Sequence, residues 1–241
     1  VDSAGNVSTK DLMFEVAADV SNYRWIGEFI SIGLSQSGNL GDLLGDSDLG
    51  LAFSSEGEFS DVITPGTPEE AYAIAWRYEG YEDVHYAHRA PYDEEGEDFL
   101  DVPGTLEAIT DISSSEELSD SSAKYAYVGS VGSDLLRINQ NTYVDAAGHF
   151  VRFRVGVENL TGQDIESLRY MRTMDPDIIG FDTHFSNLVQ PENGLPGLIT
   201  VRDSESVVPL TYLSLDPNAR FSSYAFSPRD PYASEAWEEP G

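Results

Sequence analysis

The sequence predicts an all-β protein, a large two-layer antiparallel β-sandwich, on three observations. Apolar residues recur with period two, which places alternate side chains on one face of a strand. Turn signals built on Gly or Pro separate these runs, at residues 37–39 (Ser-Gly-Asn), 65–66, 103–104, 147–148, 161–162 and 196–197. Helical periodicity is poor, and only the stretch 68–73, with Thr67 as an N-cap, starts like a helix. Strand runs joined by such turns build sandwiches or barrels.

In chain order, residues 1–11 read as a polar linker. Asp2-Ser3-Ala4-Gly5-Asn6 followed by Ser8-Thr9 resembles the junction between extracellular β-sandwich repeats, so residues 1–25 are expected to hold a linker from a preceding repeat and the first strand, and residues 26–241 one large sandwich domain. Both ends read as cuts in a longer chain, with a missing C-terminal strand or an interruption after Trp237 left open. Alternation starts near Phe29. Tyr72, Ile74, Trp76 and Tyr78 then share one strand face, with Ala71, Ala73, Ala75 and Arg77 on the other. Val84, Tyr86 and His88 continue the pattern. Further strands are expected over 106–112, 125–131, 135–144, 149–158, 167–174 and 210–215. The clearest is 149–158, where Val151, Phe153, Val155 and Val157 oppose Arg152 and Arg154. Residues 113–122 (SSSEELSDSS) are expected as a flexible acidic loop.

Charge sets the chemistry. Thirteen Lys and Arg stand against 43 Asp and Glu, a net charge of -30. Self-repulsion of that size opposes compaction unless something offsets it. Bound Ca²⁺ is the simplest offset, because it takes clustered carboxylate and carbonyl oxygens; salt screening is another. No basic stripe is visible, so neither nucleic acid nor an anionic membrane is an expected partner. No apolar run is long enough for membrane insertion. The absence of Cys excludes disulfides and thiolate chemistry.

Three acidic constellations are candidate calcium ligands. Asp46 and Asp48, in Gly-Asp-Ser-Asp-Leu-Gly, resemble the front half of a calcium loop, and Asp42 lies close by. Asp93, Glu95 and Asp98 belong to a run of five carboxylates in six positions. Asp175 and Asp177 flank Pro176 at a strand end, where Asp175 is expected either to form a structural corner with an Arg or to join Asp177 at a metal or polar ligand. A different signal is the concentration of Arg137, Arg152, Arg154, Arg169 and Arg172 within 36 residues. Cross-strand pairing with carboxylates is one explanation. The other is a patch for an anionic ligand, with Arg152, Arg154, Arg169, Arg172 and Trp76 as its binding residues. His85 and His88, three apart on a strand, are expected to face opposite sides. No pair of histidines has metal-ligand spacing, and no Gly-x-Ser-x-Gly, P-loop or dinucleotide fingerprint occurs.

Residues 135–177 carry a resemblance. An alternating strand, then Val-Glu-Asn-Leu-Thr-Gly, then a strand ending Tyr-x-Arg-x-x-Asp-Pro-Asp resembles a module in the ligand-binding region of large bacterial repeats-in-toxin adhesins. The form is similar to the supersandwich of galactose-mutarotase-like proteins. The resemblance covers roughly residues 28–230, and the Gly-Gly-x-Gly-x-Asp repeats of that family are absent. It implies a calcium-stabilised module on the bacterial cell surface. Such a module either binds a glycan or peptide on a host or neighbouring cell or positions a neighbouring domain of the same long chain. The rival reading is a carbohydrate-active enzyme (a lyase, epimerase or mutarotase-like protein) acting on acidic polysaccharide, with Arg172, Asp175, His149 and Tyr170 at a sheet cleft. Catalysis would need an acid and a base within reach of one sugar, and no paired spacing demands it.

Overall fold

The computed structural model describes residues 23–41, 49–55, 58–63, 70–89, 104–174, 183–189, 195–203, 210–221 and 231–232. These are all-β, as the alternation predicts. Fifteen strands run β1 (Tyr23–Ile26), β2 (Ile30–Leu34), β3 (Leu51–Ser55), β4 (Glu58–Asp61), β5 (Glu70–Tyr78), β6 (His85–Arg89), β7 (Thr105–Leu106) and β8 (Ile109–Leu118). They continue as β9 (Ser122–Val131), β10 (Leu136–Asp145), β11 (Val151–Asn159), β12 (Ile165–Met174), β13 (Thr183–Val189), β14 (Gly197–Asp203) and β15 (Leu210–Ser214). Among the described residues no helix is long and apolar enough to cross a membrane.

The strands form four sheets, ordered β1-β2-β3-β4, β11-β10-β9-β8, β12-β5-β6-β7 and β13-β14-β15. All neighbours are antiparallel except β6 and β7. The β11-β10-β9-β8 sheet is the common wall of the sandwich. Its inner residues Ala123, Tyr125, Val144, Val151 and Phe153 join a cluster with Ile30, Ile32, Leu34 and Leu51 of the first sheet. Farther along the same strands, Tyr127, Val131, Leu136, Ile138, Val155 and Val157 join a second cluster with Tyr72, Ile74 and Trp76 of β5. Leu210 and Tyr212 of β15 pack on the first cluster, and the Tyr212 hydroxyl lies 2.9 Å from Met174 Sδ.

Two local expectations give way to strand. Residues 113–118 extend β8 instead of forming a loop, with a bulge between Asp111 and Ser113. The turn is confined to 119–121, where Ser119 Oγ accepts from the backbone N–H of Ser121 and Ser122. An edge strand tolerates such a polar run because one of its margins meets water. Likewise Glu70–Ala73 opens β5 and not a helix, since Tyr72, Ile74 and Trp76 bury the same face.

A corner joins the two layers. β11 lies in the wall and β12 in the opposing sheet, linked by residues 160–164. Asn159 Oδ1 accepts from the Thr161 N–H at 3.1 Å and its hydroxyl at 2.7 Å, while Asn159 Nδ2 donates to the Gln163 carbonyl at 2.6 Å. Gly162, at φ 72, supplies the left-handed residue the bend requires. On the far side of β12, Arg169 donates to the Pro231 carbonyl at 3.1 Å and its guanidinium lies 4.1 Å over the Tyr232 ring.

Candidate functional site: a buried ionic seam behind an outward arginine face

The two apolar clusters do not merge. Between them the inner positions turn polar: along β10 the inward series is Leu136, Ile138, Gln140, Thr142, Val144, all buried. Opposite Gln140, Glu70 begins the inward series of β5 and is 0% exposed. Arg172 of β12 faces the same way, because it stands in register with Tyr72.

These side chains form one network. Arg172 Nε approaches Glu70 Oε1 at 2.5 Å, an ionic contact more than an aligned hydrogen bond. Glu70 Oε2 accepts from the Leu40 N–H at 2.6 Å. Arg172 also donates to Gln140 Oε1 at 3.1 Å and to the Gly38 carbonyl at 3.4 Å, and its guanidinium stacks 3.8 Å from the Phe153 ring. Gln140 Nε2 donates to the same Gly38 carbonyl. Asn39 Nδ2 donates to the carbonyls of Glu70 and Arg89, each at 3.2 Å. Burial pushes the Glu70 carboxyl up, against the pull of Arg172 and the Leu40 N–H. Burial works against the charge of the Arg172 guanidinium, but Glu70 and Tyr170 together outweigh it, so it is held charged. Nearby, burial and Asp111 raise the Tyr127 phenol, whose hydroxyl donates to Asp111 Oδ1 at 2.7 Å while Arg89 pairs with Oδ2 at 3.0 Å. A cavity of about 10 Å³ lies beside this seam, lined by Gly38, Tyr127, Gln140 and Thr142 among others, with room for about one water.

Gly38 is where the seam meets the backbone. It sits at φ 79, and a Cβ there would lie 2.7 Å from Gln140 Nε2. Gly38→Ala is therefore expected to destabilise by about 1–3 kcal/mol from backbone strain alone. Urea unfolding should show a lower midpoint with an unchanged slope; an unchanged midpoint would show that the seam does not depend on this turn.

The outer face of the same wall is different in kind. Strand register puts Arg152, Tyr143, Lys124 and Glu117 in one row, and Arg154, Asn141, Ala126 and Ser115 in the next. A third row holds Gly156, Asn139, Val128 and Ser113. Lys124 pairs with Glu117 at 2.7 Å, and Arg137 with Glu158 at 3.6 Å. Cross-strand pairing thus accounts for two cations of this face. Arg152 and Arg154 are exposed and meet no carboxylate among the described residues; Arg152 instead lies 4.5 Å over the Tyr143 ring.

The expected single arginine patch is therefore divided. Arg152 and Arg154 share the outer face of β11. Arg172 points inward and takes Glu70 as its carboxylate, so it is a structural residue closed to a surface ligand. Arg169 is engaged by Pro231 and Tyr232 on the far side of β12. Trp76 is 0% exposed, stacked 5.2 Å from His85, and has no face for a ligand. His85 and His88 do face opposite sides, in register with Trp76 and Ala73. Of the residues of the enzymatic reading, the three that are described do not come together: Tyr170 and Arg172 sit in the seam, while His149 lies at the turn before β11, stacked 4.3 Å from Phe29. The candidate calcium ligands Asp42, Asp46, Asp48, Asp93, Glu95, Asp98, Asp175 and Asp177 all lie outside the described residues. Among the described residues no three His, Asp or Glu side chains converge to hold a metal.

Fold and geometry define a class, an all-β sandwich with an ionic interior seam and an open, arginine-bearing sheet face. No family model, curated protein or solved structure matches the chain.

Proposed function

We propose that the chain is a calcium-stabilised binding module of a bacterial cell-surface adhesin, working outside the cell. The observation that carries the reading is the outer face of the β11-β10-β9-β8 sheet, where Arg152 and Arg154 stand exposed and meet no carboxylate among the described residues, in a chain whose acids outnumber its bases 43 to 13. Arginines left unpaired amid such an excess of carboxylate are available to a partner. Behind them, the Glu70–Arg172–Gln140 seam fixes the inner side of β10, so Asn139, Asn141 and Tyr143 are presented on a rigid strand. The calcium part is supported by charge: -30 over 241 residues repels itself unless cations sit among the carboxylates.

Beads coated with the calcium-loaded chain should adhere to glycan- or peptide-coated surfaces and detach on chelation. Beads that adhere to no such surface would overturn the reading.

A further inference from the structure

We propose that this outer face is a binding site for an anionic polysaccharide, with Arg152 and Arg154 gripping its carboxylate or sulfate groups; the inference rests on the binding-module reading and names its ligand class.

Spacing comes first. Alternate residues of a strand stand about 6.6 Å apart, and neighbouring strands about 4.8 Å. Arg152 and Arg154 thus form a pair of guanidinium forks along one edge of a flat grid. A planar fork meets a carboxylate or sulfate through two parallel N–H···O bonds. Arg152 is held in advance by the Tyr143 ring at 4.5 Å, which lowers the ordering cost of contact.

The rest of the grid suits hydroxyl-rich ligands. Asn141 stands beside Arg154 and Asn139 beside Gly156, with Ser113 and Ser115 across the sheet. Gly156 leaves the edge bare: a Cβ built there would meet only the Asn139 carbonyl oxygen, at 3.9 Å. A sugar ring can therefore settle against the backbone next to Arg154. These rows hold amides and hydroxyls, with only Ala126 and Val128 as apolar members, and so favour a glycan over an acidic peptide.

The chain's net charge opposes any polyanion, but only within range. At about 0.15 M ionic strength the screening length is about 8 Å, so distant carboxylates contribute little. On the face itself Glu117 and Glu158 are already taken by Lys124 and Arg137, and Asp145 lies at the end of β10.

The test is calorimetric titration of the calcium-loaded chain at about 0.15 M salt. The probes are polygalacturonate, dextran sulfate, neutral dextran and poly-glutamate. Polygalacturonate or dextran sulfate should bind, and Arg152→Gln/Arg154→Gln should weaken that binding at least about tenfold with an unchanged melting temperature. Gly156→Val should weaken it too, without changing charge. Failure of both anionic polysaccharides to bind would overturn the proposal, as would dextran or poly-glutamate binding equally well, or indifference to the double substitution. Adhesion of beads carrying the same protein separates the two readings. Beads that adhere but ignore the arginine substitutions sink this inference and leave the module reading standing.

Discussion

Glu70→Gln is expected to destabilise the chain by about 3–5 kcal/mol, the usual cost of removing one partner from a buried ion pair. Glutamine keeps the shape and can still accept from the Leu40 N–H, so the loss isolates the charge. It leaves Arg172, 13% exposed, with a guanidinium that does not shed its proton. For a chain of this length the loss lowers the melting temperature by roughly 6–20 °C.

Arg172→Met makes the complementary defect, and pH tells the two apart. The remaining Glu70 can escape by taking up a proton, its carboxyl already raised by burial in the native protein. A carboxyl whose folded pKa lies above its unfolded value binds more protons when folded, so stability falls as pH rises between those values. Arg172→Met should therefore recover stability as pH drops toward the ordinary carboxylate range, while Glu70→Gln loses that dependence. The double variant Glu70→Gln/Arg172→Met should cost well under the sum of the two, because no charge is left stranded. Strict additivity in chemical denaturation would show that the two groups are not coupled.

Much of the fold was legible because half-buried strands write their burial in period two. β10 and β11 alternate as expected, and Tyr72, Ile74, Trp76 and Tyr78 do share a buried face. Less legible were elements in which polarity overrode the pattern. β8 carries Ser113–Glu117 at a sheet margin, where composition reads as loop. The seam was hidden for a related reason. Glu70 follows Pro68 and Glu69, which suggest a helix start, yet counting back by two from Tyr72 puts Glu70 on the buried face. Gln140 and Thr142 fall in the same way on the Leu136–Ile138 face of β10, so period two could have exposed the seam had polar residues been counted with the apolar ones.

The arginines lie close together in sequence, but the chain reversal at 160–164 separates them in space. Arg152 and Arg154 precede the corner and face out from one layer; Arg169 and Arg172 follow it in the other layer. Arg172 takes its carboxylate from Glu70 on the neighbouring strand, about a hundred residues earlier in the chain. Such pairings depend on register, which one strand alone does not disclose.

On the proposed calcium-stabilised reading, chelation is the second large expected effect. A ligand at a hundred times its dissociation constant stabilises the folded state by about 2.7 kcal/mol per site. Two occupied sites would contribute about 5.4 kcal/mol, which for a chain of this size corresponds to roughly 10–20 °C in melting temperature. Part of that gain is relief of repulsion among 43 carboxylates, so monovalent salt should recover only a fraction of it. Magnesium should substitute poorly, since it demands a small octahedral shell and sheds water reluctantly.

The most direct measurement is calorimetric melting of the full chain in excess calcium and again after chelation, at matched ionic strength. Loss of roughly 10–20 °C on chelation, restored by calcium and not by magnesium, is the expected result. The same melting temperature in both conditions would contradict the account of a polyanionic chain held together by divalent ions.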